Sequence, residues 1–312
     1  MRHFISLKDY SAEELKEILD LAIEIKADQD KYAEALKQKT LIMLFQKSST
    51  RTRLSFEEGM TQLGGHAIFL DQKTSQFALT DFGDEIQAVM RFCDMLMFRA
   101  MKAEDVEKAA SFDRVPVIDA CSEKYHPCQA LSDLLTMVEN AGGLENIKKV
   151  AWLGIENNVS NTLKLMCAKL GIETVLLTPK VNEPSIDEEL NKMAEDTGLI
   201  SKTDNIEEGL KDVDFVHTDT WMDMEFFEDG KVKPGFKEEY DTRIEMFKPY
   251  QLTGEMVDKY APNAKIMHCM PCHIGYEISR SAMDHKNAVI IDQAENRLHA
   301  QKAILVWLYK NK

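Results

Sequence analysis

The chain has 312 residues, with 38 Lys plus Arg against 53 Asp plus Glu, a formal net charge of −15. At 44% hydrophobic and 29% charged it has the composition of a folded globule, long enough for about two domains. The acidic field speaks against nucleic acid or a membrane surface as partner, since both need a basic footprint.

No apolar run approaches the roughly 18 residues of a membrane span. The start of the chain turns acidic and polar before a signal-peptide core could form. Six cysteines are too few for a secreted disulfide framework in a chain of this length. The sequence therefore reads as a cytoplasmic protein with reduced thiols.

Ser11 and Glu14 predict a capping box for a first helix that buries Leu15, Ile18, Leu19 and Ala22. Strand-like runs follow at 41–45, 67–70, 95–98 and 115–118, alternating with helical stretches at 53–63, 84–92 and 104–111. Gly64 and Gly65 close the first of these helices. A crossing helix is predicted at 129–141. After Gly142 and Gly143 come strands at 150–153, 174–177, 213–216, 266–267 and 289–291, with helices at 158–170, 187–196 and 255–260. A last helix at 294–309 should return to the first lobe. The acidic stretch 222–240 lacks clear periodicity and reads as a long loop, which in a compact domain is more often functional than idle. Near-continuous apolar strands alternating with helices predict an α/β fold of two doubly wound domains, each a mostly parallel sheet flanked by helices. The divisions fall at 1–140, 141–293 and a C-terminal helix, 294–312.

Ligands of open α/β sheets bind beyond the carboxyl ends of the strands, so residues there carry the chemical information. Gln46-Lys47-Ser48-Ser49-Thr50-Arg51-Thr52-Arg53 joins a strand to a helix start. Four hydroxyls, helix N–H groups and two guanidinium forks suit an oxyanion, with phosphate the usual occupant; the ordinary alternative is an N-cap with solvated arginines. No Walker lysine or G-x-G-x-x-G pattern is present. His126-Pro127-Cys128-Gln129 offers an imidazole for an oxyanion and an amide for a carbonyl or amide group, or is simply a helix entry with Pro127 in the first turn.

His268-Cys269-Met270-Pro271-Cys272-His273 contains C-x-x-C-H. Covalent haem needs export, a thioredoxin-like site opens an early helix, and zinc lacks a second ligand pair at the right spacing, so no metal or cofactor is expected. A cis Met270–Pro271 bond is one option in such a turn. Glu156-Asn157-Asn158 and Thr218-Asp219-Thr220-Trp221-Met222-Asp223 are acceptor-rich and suit an amino acid, although Asn and Asp favour turns in any case. All four constellations fall at the same predicted sheet edge.

Taken together these motifs resemble the aspartate/ornithine carbamoyltransferase family, and its ornithine branch in particular. Ser49 to Arg53 resembles that family's carbamoyl phosphate signature. Arg99, His126 to Gln129, His268 to Pro271 and Ala294-Glu295-Asn296-Arg297 follow in the family's order. The resemblance implies carbamoyl transfer from carbamoyl phosphate to an amine amino acid, with no cofactor. It implies catalytic roles for Arg51, His126, Asp219 and Cys269. Carbamoyl phosphate would be held by Ser49, Thr50, Arg51, Thr52, Gln76, Arg99, His126, Gln129, Cys269, Met270 and Arg297. Ornithine would meet Asn158, Asp219, Asp223, Met224 and Cys269. A homotrimer, or a multiple of one, is implied as well, with the Gln76 loop reaching a neighbouring subunit. Where the family usually has Ser-Met-Gly, this chain has Asp223-Met224-Glu225, which keeps another amine acceptor such as putrescine in view. A non-catalytic anion binder is the remaining alternative.

Overall fold

The computed structural model describes residues 1–222, 226–228 and 231–311. Helix α1 (Ala12–Ala27) starts at the Ser11–Glu14 capping box and buries the apolar stripe its spacing predicts. The first sheet comprises β1 (Thr40–Phe45), β2 (His66–Asp71), β3 (Met95–Arg99) and β4 (Val117–Asp119). It is wholly parallel, in the order β2-β1-β3-β4. Helices α2 (Thr50–Gln62), α3 (Phe82–Val89) and α4 (Ala103–Ser111) make its crossovers.

The long helix α5 (Pro127–Ala141) leads to the second sheet and ends at Gly142, whose φ of 72° is the left-handed stop that glycine adopts freely. That sheet contains β5 (Lys149–Glu156), β6 (Glu173–Val181), β7 (Ile200–Lys202), β8 (Phe215–Thr218) and, beyond a small hairpin, β11 (Lys265–His268). All its pairs are parallel, in the order β11-β8-β5-β6-β7. Helices α6 (Asn158–Lys169), α7 (Glu188–Glu195), α8 (Ile206–Leu210), α9 (Lys237–Phe247), α10 (Gly254–Tyr260) and α11 (Arg280–Met283) cover it. Helix α12 (Ile290–Lys310) packs back on α1, α2 and α5.

Two readings are corrected. The expected strand at 289–291 is instead the first turn of α12. The chain pairs briefly beside β11, where Ile266 N donates to Asn287 O and Val289 N to Ile266 O, and then turns helical. A short apolar run cannot be told from a buried helix start by periodicity. The loop expected at 222–240 is corrected at its described residues, which carry the hairpin β9 (Phe227–Glu228) and β10 (Lys231–Val232), with α9 beginning at Lys237.

One buried core runs through both halves, joining Leu131, Leu134 and Leu135 of α5 to Trp152 of β5 and Ile304 of α12. Helix α5 is buried along nearly its whole length, so its polar residues must be bonded inside the protein. Between Leu153 and Ile155 the β5–β6 register slips at Gly154, whose φ is +113°. A Cβ there would stand 2.9 Å from Trp221 Nε1, so only glycine leaves room for this indole at the end of β8. Gly154→Ala should therefore lower unfolding stability by roughly 1–3 kcal/mol, read by urea denaturation; an unchanged midpoint would contradict the close approach.

Candidate active site

Helix α2 opens on Ser49, whose hydroxyl accepts from Thr52 N at 3.4 Å and donates to Thr52 Oγ1 at 3.0 Å. Into the same hydroxyl of Thr52 point Arg99 at 3.4 Å, from the end of β3, and Arg297 at 3.2 Å, from α12. Three donors thus share one oxygen with two lone pairs. Arg99 Nε is buried without a partner.

Arg297 is 3% exposed, and burial lowers its pKa, opposed by Cys128 and reinforced by the Arg99 charge; Arg51 is lowered by burial as well. Among the described residues no carboxylate lies within 4.0 Å of Arg51, Arg99 or Arg297. The cluster is short of acceptors and rich in positive charge, as an anion receptor must be. Arg53, the other fork of the sequence run, is elsewhere: it pairs with Glu57 at 2.9 Å and lies over the Phe69 ring. Arg99 and Arg297 supply the additional guanidinium groups. Thr50 is exposed at the helix start, where the first N–H groups lack intrahelical acceptors.

His126 precedes Pro127 at the start of α5, and its N–H is held by Thr162 Oγ1 at 2.8 Å. Burial first, then Arg297, Arg99, Lys47 and Arg51, hold its imidazole well below the ordinary value. The ring is neutral, and its buried Nδ1 has no partner. Gln129 donates through Nε2 to Asp133 at 2.7 Å and accepts at Oε1 from Arg297 at 2.8 Å. One lone pair of Oε1 remains for an N–H of a ligand.

The second sheet contributes the other wall. Asp219, just beyond β8, accepts from Asn157 Nδ2 at 2.7 Å, Thr220 N at 2.7 Å and the Cys269 thiol at 3.0 Å. Burial and then Asp219 push Cys269 well above the usual thiol range, so it is a donor and not a thiolate. Met270 has a φ of 58°, its N–H donates to His268 Nδ1 at 2.8 Å, and the Met270–Pro271 bond is cis. Arg51 lies within electrostatic reach of Cys269 and Asp219, which brings the two walls together. Atoms of Asp219, His268 and Cys269 come within 4.8 Å of one another, as metal ligands do. Here the thiol bonds Asp219 while both ring nitrogens of His268 are taken, by Met270 N and Glu277.

Some expected residues stand apart. Gln76 is exposed on the turn after β2, while its neighbour Phe77 packs in the first domain. Asn158 spends its amide nitrogen on Ser122 O at 2.7 Å and Cys121 Sγ at 3.3 Å, bridging to the loop after β4. Asp223 and Met224 lie outside the described residues. Conversely, Asp133, Gln293 and Asn157 orient site groups without having been singled out for that. The polar i, i+4 pair Gln129 and Asp133 in an apolar helix is the signal that could have found the first.

Two family models match the chain. "Aspartate/ornithine carbamoyltransferase, carbamoyl-P binding domain" covers residues 2–139 and "Aspartate/ornithine carbamoyltransferase, Asp/Orn binding domain" residues 146–308. A relative from Nitratiruptor, "Ornithine carbamoyltransferase", is 38% identical over 314 residues, 99% of this chain and 98% of its own. The solved ornithine carbamoyltransferase of Pyrococcus furiosus matches with a TM-score of 0.87 at 37% identity, covering 97% of this chain and 96% of that one. The anabolic ornithine carbamoyltransferase of Campylobacter jejuni matches with 0.88 at 34% over the full length of both. With a positively charged cluster opposite a carboxylate–thiol pair between two parallel sheets, these matches make the chain a two-domain α/β carbamoyl-transfer enzyme. The chain belongs to the aspartate/ornithine carbamoyltransferase family.

The turn that presents Cys269 and Met270 leans on Glu277, which is 1% exposed. Burial raises this carboxyl, but hydrogen bonds from His268 and His273 outweigh it and bring it from 4.5 down to about 2. A lowered carboxylate stabilises the fold above its unfolded value and loses that contribution as pH falls through its folded value. Glu277→Gln should thus be less stable at pH 6 by on the order of 3 kcal/mol. The gap should close as pH falls from about 4.5 towards 2; a pH-independent gap in urea denaturation would contradict this.

Proposed function

We propose that the protein transfers the carbamoyl group of carbamoyl phosphate to the side-chain amine of L-ornithine, giving L-citrulline and phosphate. The crowding of Arg99, Arg297 and Ser49 donors on the single Thr52 hydroxyl carries this reading, because an acceptor-rich anion would relieve it. In this account residues 1–140 bind carbamoyl phosphate, 141–293 bind the amino acid, and 294–312 return to the first domain. Ser49, Thr50, Arg51, Thr52, Arg99 and Arg297 hold the phosphoryl oxygens. Arg51, Thr52 and the neutral His126 stabilise the oxyanion that forms on the carbamoyl carbonyl. Gln129 Oε1 and the backbone at Cys269 and Met270 accept from the carbamoyl nitrogen.

The amine attacks as its free base, although an alkylamine in water has a pKa of about 10. Asp219 and the Cys269 thiol orient that amine, and Asn158 with Asp223 and Met224 meets the amino-acid head group. The C–N bond forms as the C–O bond to phosphate breaks, and the departing phosphate takes the amine proton. No covalent enzyme intermediate is needed, which agrees with Cys269 being held as a thiol. Positioning supplies most of the rate.

The account extends to a cytoplasmic homotrimer, or a multiple of trimers, in which Gln76 of one subunit reaches the site of the next. The exposed position of Gln76 agrees with such a role. The full-length similarity to ornithine carbamoyltransferases favours ornithine over a diamine such as putrescine.

Arg51→Ala should lower kcat/KM for carbamoyl phosphate by about 10²-fold or more; turnover near wild type would place the phosphate elsewhere. In an assay of ureido product against ornithine, putrescine and lysine, ornithine should dominate. Preference for putrescine would reassign the head-group pocket to a diamine.

A further inference from the structure

Beneath the anion pocket, behind Gln129, lies a buried polar cluster of which the mechanism above uses only that glutamine. Asp133 of α5 is 0% exposed. One of its oxygens accepts from Gln129 Nε2 and from Gln293 Nε2, each at 2.7 Å. Its other oxygen stands 3.2 Å from Nε2 of His217, a β8 ring that is also fully buried and stacks on Trp152. Gln293 Nε2 lies 2.9 Å from the same His217 nitrogen, and His217 Nδ1 lies 3.0 Å from Thr218 O. Gln293 Oε1 accepts from His268 N at 2.9 Å. The cluster thereby joins α5, α12, β8 and β11, which come from both domains.

A carboxylate so enclosed is costly, and an apolar residue of similar size would often serve the fold as well. What a carboxylate does that no hydrocarbon can is choose the sense of an amide. A glutamine side chain can exchange the places of its O and N with little change of shape. A carboxylate only accepts, so both glutamines must turn their NH2 groups towards it and their oxygens away. Gln129 Oε1 is thereby turned towards Arg297, with one lone pair left over. Gln293 Oε1 is turned to the N–H of His268, the residue before Cys269.

We propose that Asp133 is a positioning residue that fixes the amide sense of Gln129 and Gln293, so that the carbamoyl NH2 meets acceptors on both sides: the Gln129 oxygen from α5 and the Cys269–Met270 backbone from β11. The proposal rests on the carbamoyl phosphate reading above and adds a division of labour to it. Guanidinium and hydroxyl groups recognise the phosphoryl end. The Asp133 cluster recognises the nitrogen end and so distinguishes carbamoyl phosphate from other phosphates.

The test compares Asp133→Leu, Asp133→Asn and Gln293→Met as purified, folded enzymes, measuring kcat/KM for carbamoyl phosphate and competitive inhibition by inorganic phosphate. Asp133→Leu should lose about 10²-fold in kcat/KM, the scale expected when a reacting group is misplaced by about 1 Å. Inhibition by inorganic phosphate should stay within about 2-fold of wild type, since the cluster reaches the phosphoryl site only through the single Gln129–Arg297 bond. Asp133→Asn keeps an oxygen that can accept both N–H bonds but can also turn its own NH2 towards them, so its loss should fall between wild type and Asp133→Leu. Gln293→Met, which leaves Asp133 and Gln129 together, should show a smaller loss of the same pattern and serves if the leucine variant does not fold. Wild-type turnover with carbamoyl phosphate tests the underlying reading by itself. With that turnover present, unchanged kcat/KM in the leucine or methionine variant overturns the positioning role alone. So does a parallel loss of phosphate inhibition, which would mean general collapse of the pocket.

Discussion

The structure depends on keeping positive charge together without neutralising it. Arg51, Arg99 and Arg297 converge on one helix start, and among the described residues no carboxylate comes within 4.0 Å of any of them. This happens in a chain whose net charge is −15. Like charges repel more strongly as water is excluded, and the lowered pKa values of Arg51 and Arg297 record the cost of their burial. The rest of the fold supplies the rigidity that holds them there.

That rigidity has identifiable sources. The first sheet delivers Ser49 and Arg99 from the ends of β1 and β3, while α12 returns across the first domain to insert Arg297. Helix α5 is buried along nearly its whole length and carries His126 and Gln129 at its opening. The second sheet ends in Asp219 and Cys269, joined to each other by the thiol's hydrogen bond. Each wall is fixed by bonds made away from the ligand: Thr162 to His126, Asn157 to Asp219, Glu277 to His268. Preorganisation of this kind is what positional catalysis requires.

Most of this architecture is legible in the sequence, because local signals agree with the global fold. The Ser11–Glu14 box, the alternation of apolar strands with helices and the glycine stops at Gly64 and Gly142 all act within a few residues. Motifs at strand ends are legible for the same reason, since a parallel sheet sends every strand's carboxyl end to one edge. What escapes are effects set by distant contacts. Val289 to Ile291 has a strand's composition but starts a helix, because only brief pairing beside β11 is available there. Arg53 looks equivalent to Arg51 in the run, yet it falls on the outer side of α2 beside Glu57 and Phe69. The meeting of Asp133, His217 and Gln293 joins residues 76 to 160 positions apart, and no local pattern announces it.

A crystal structure of the protein with carbamoyl phosphate bound tests the central claim most directly. The account predicts phosphoryl oxygens at the start of α2 within hydrogen-bond reach of Ser49, Thr52, Arg51, Arg99 and Arg297, with the carbamoyl group turned towards His126 and Gln129. An empty cleft at saturating ligand, or the ligand bound away from these guanidinium groups, would contradict it.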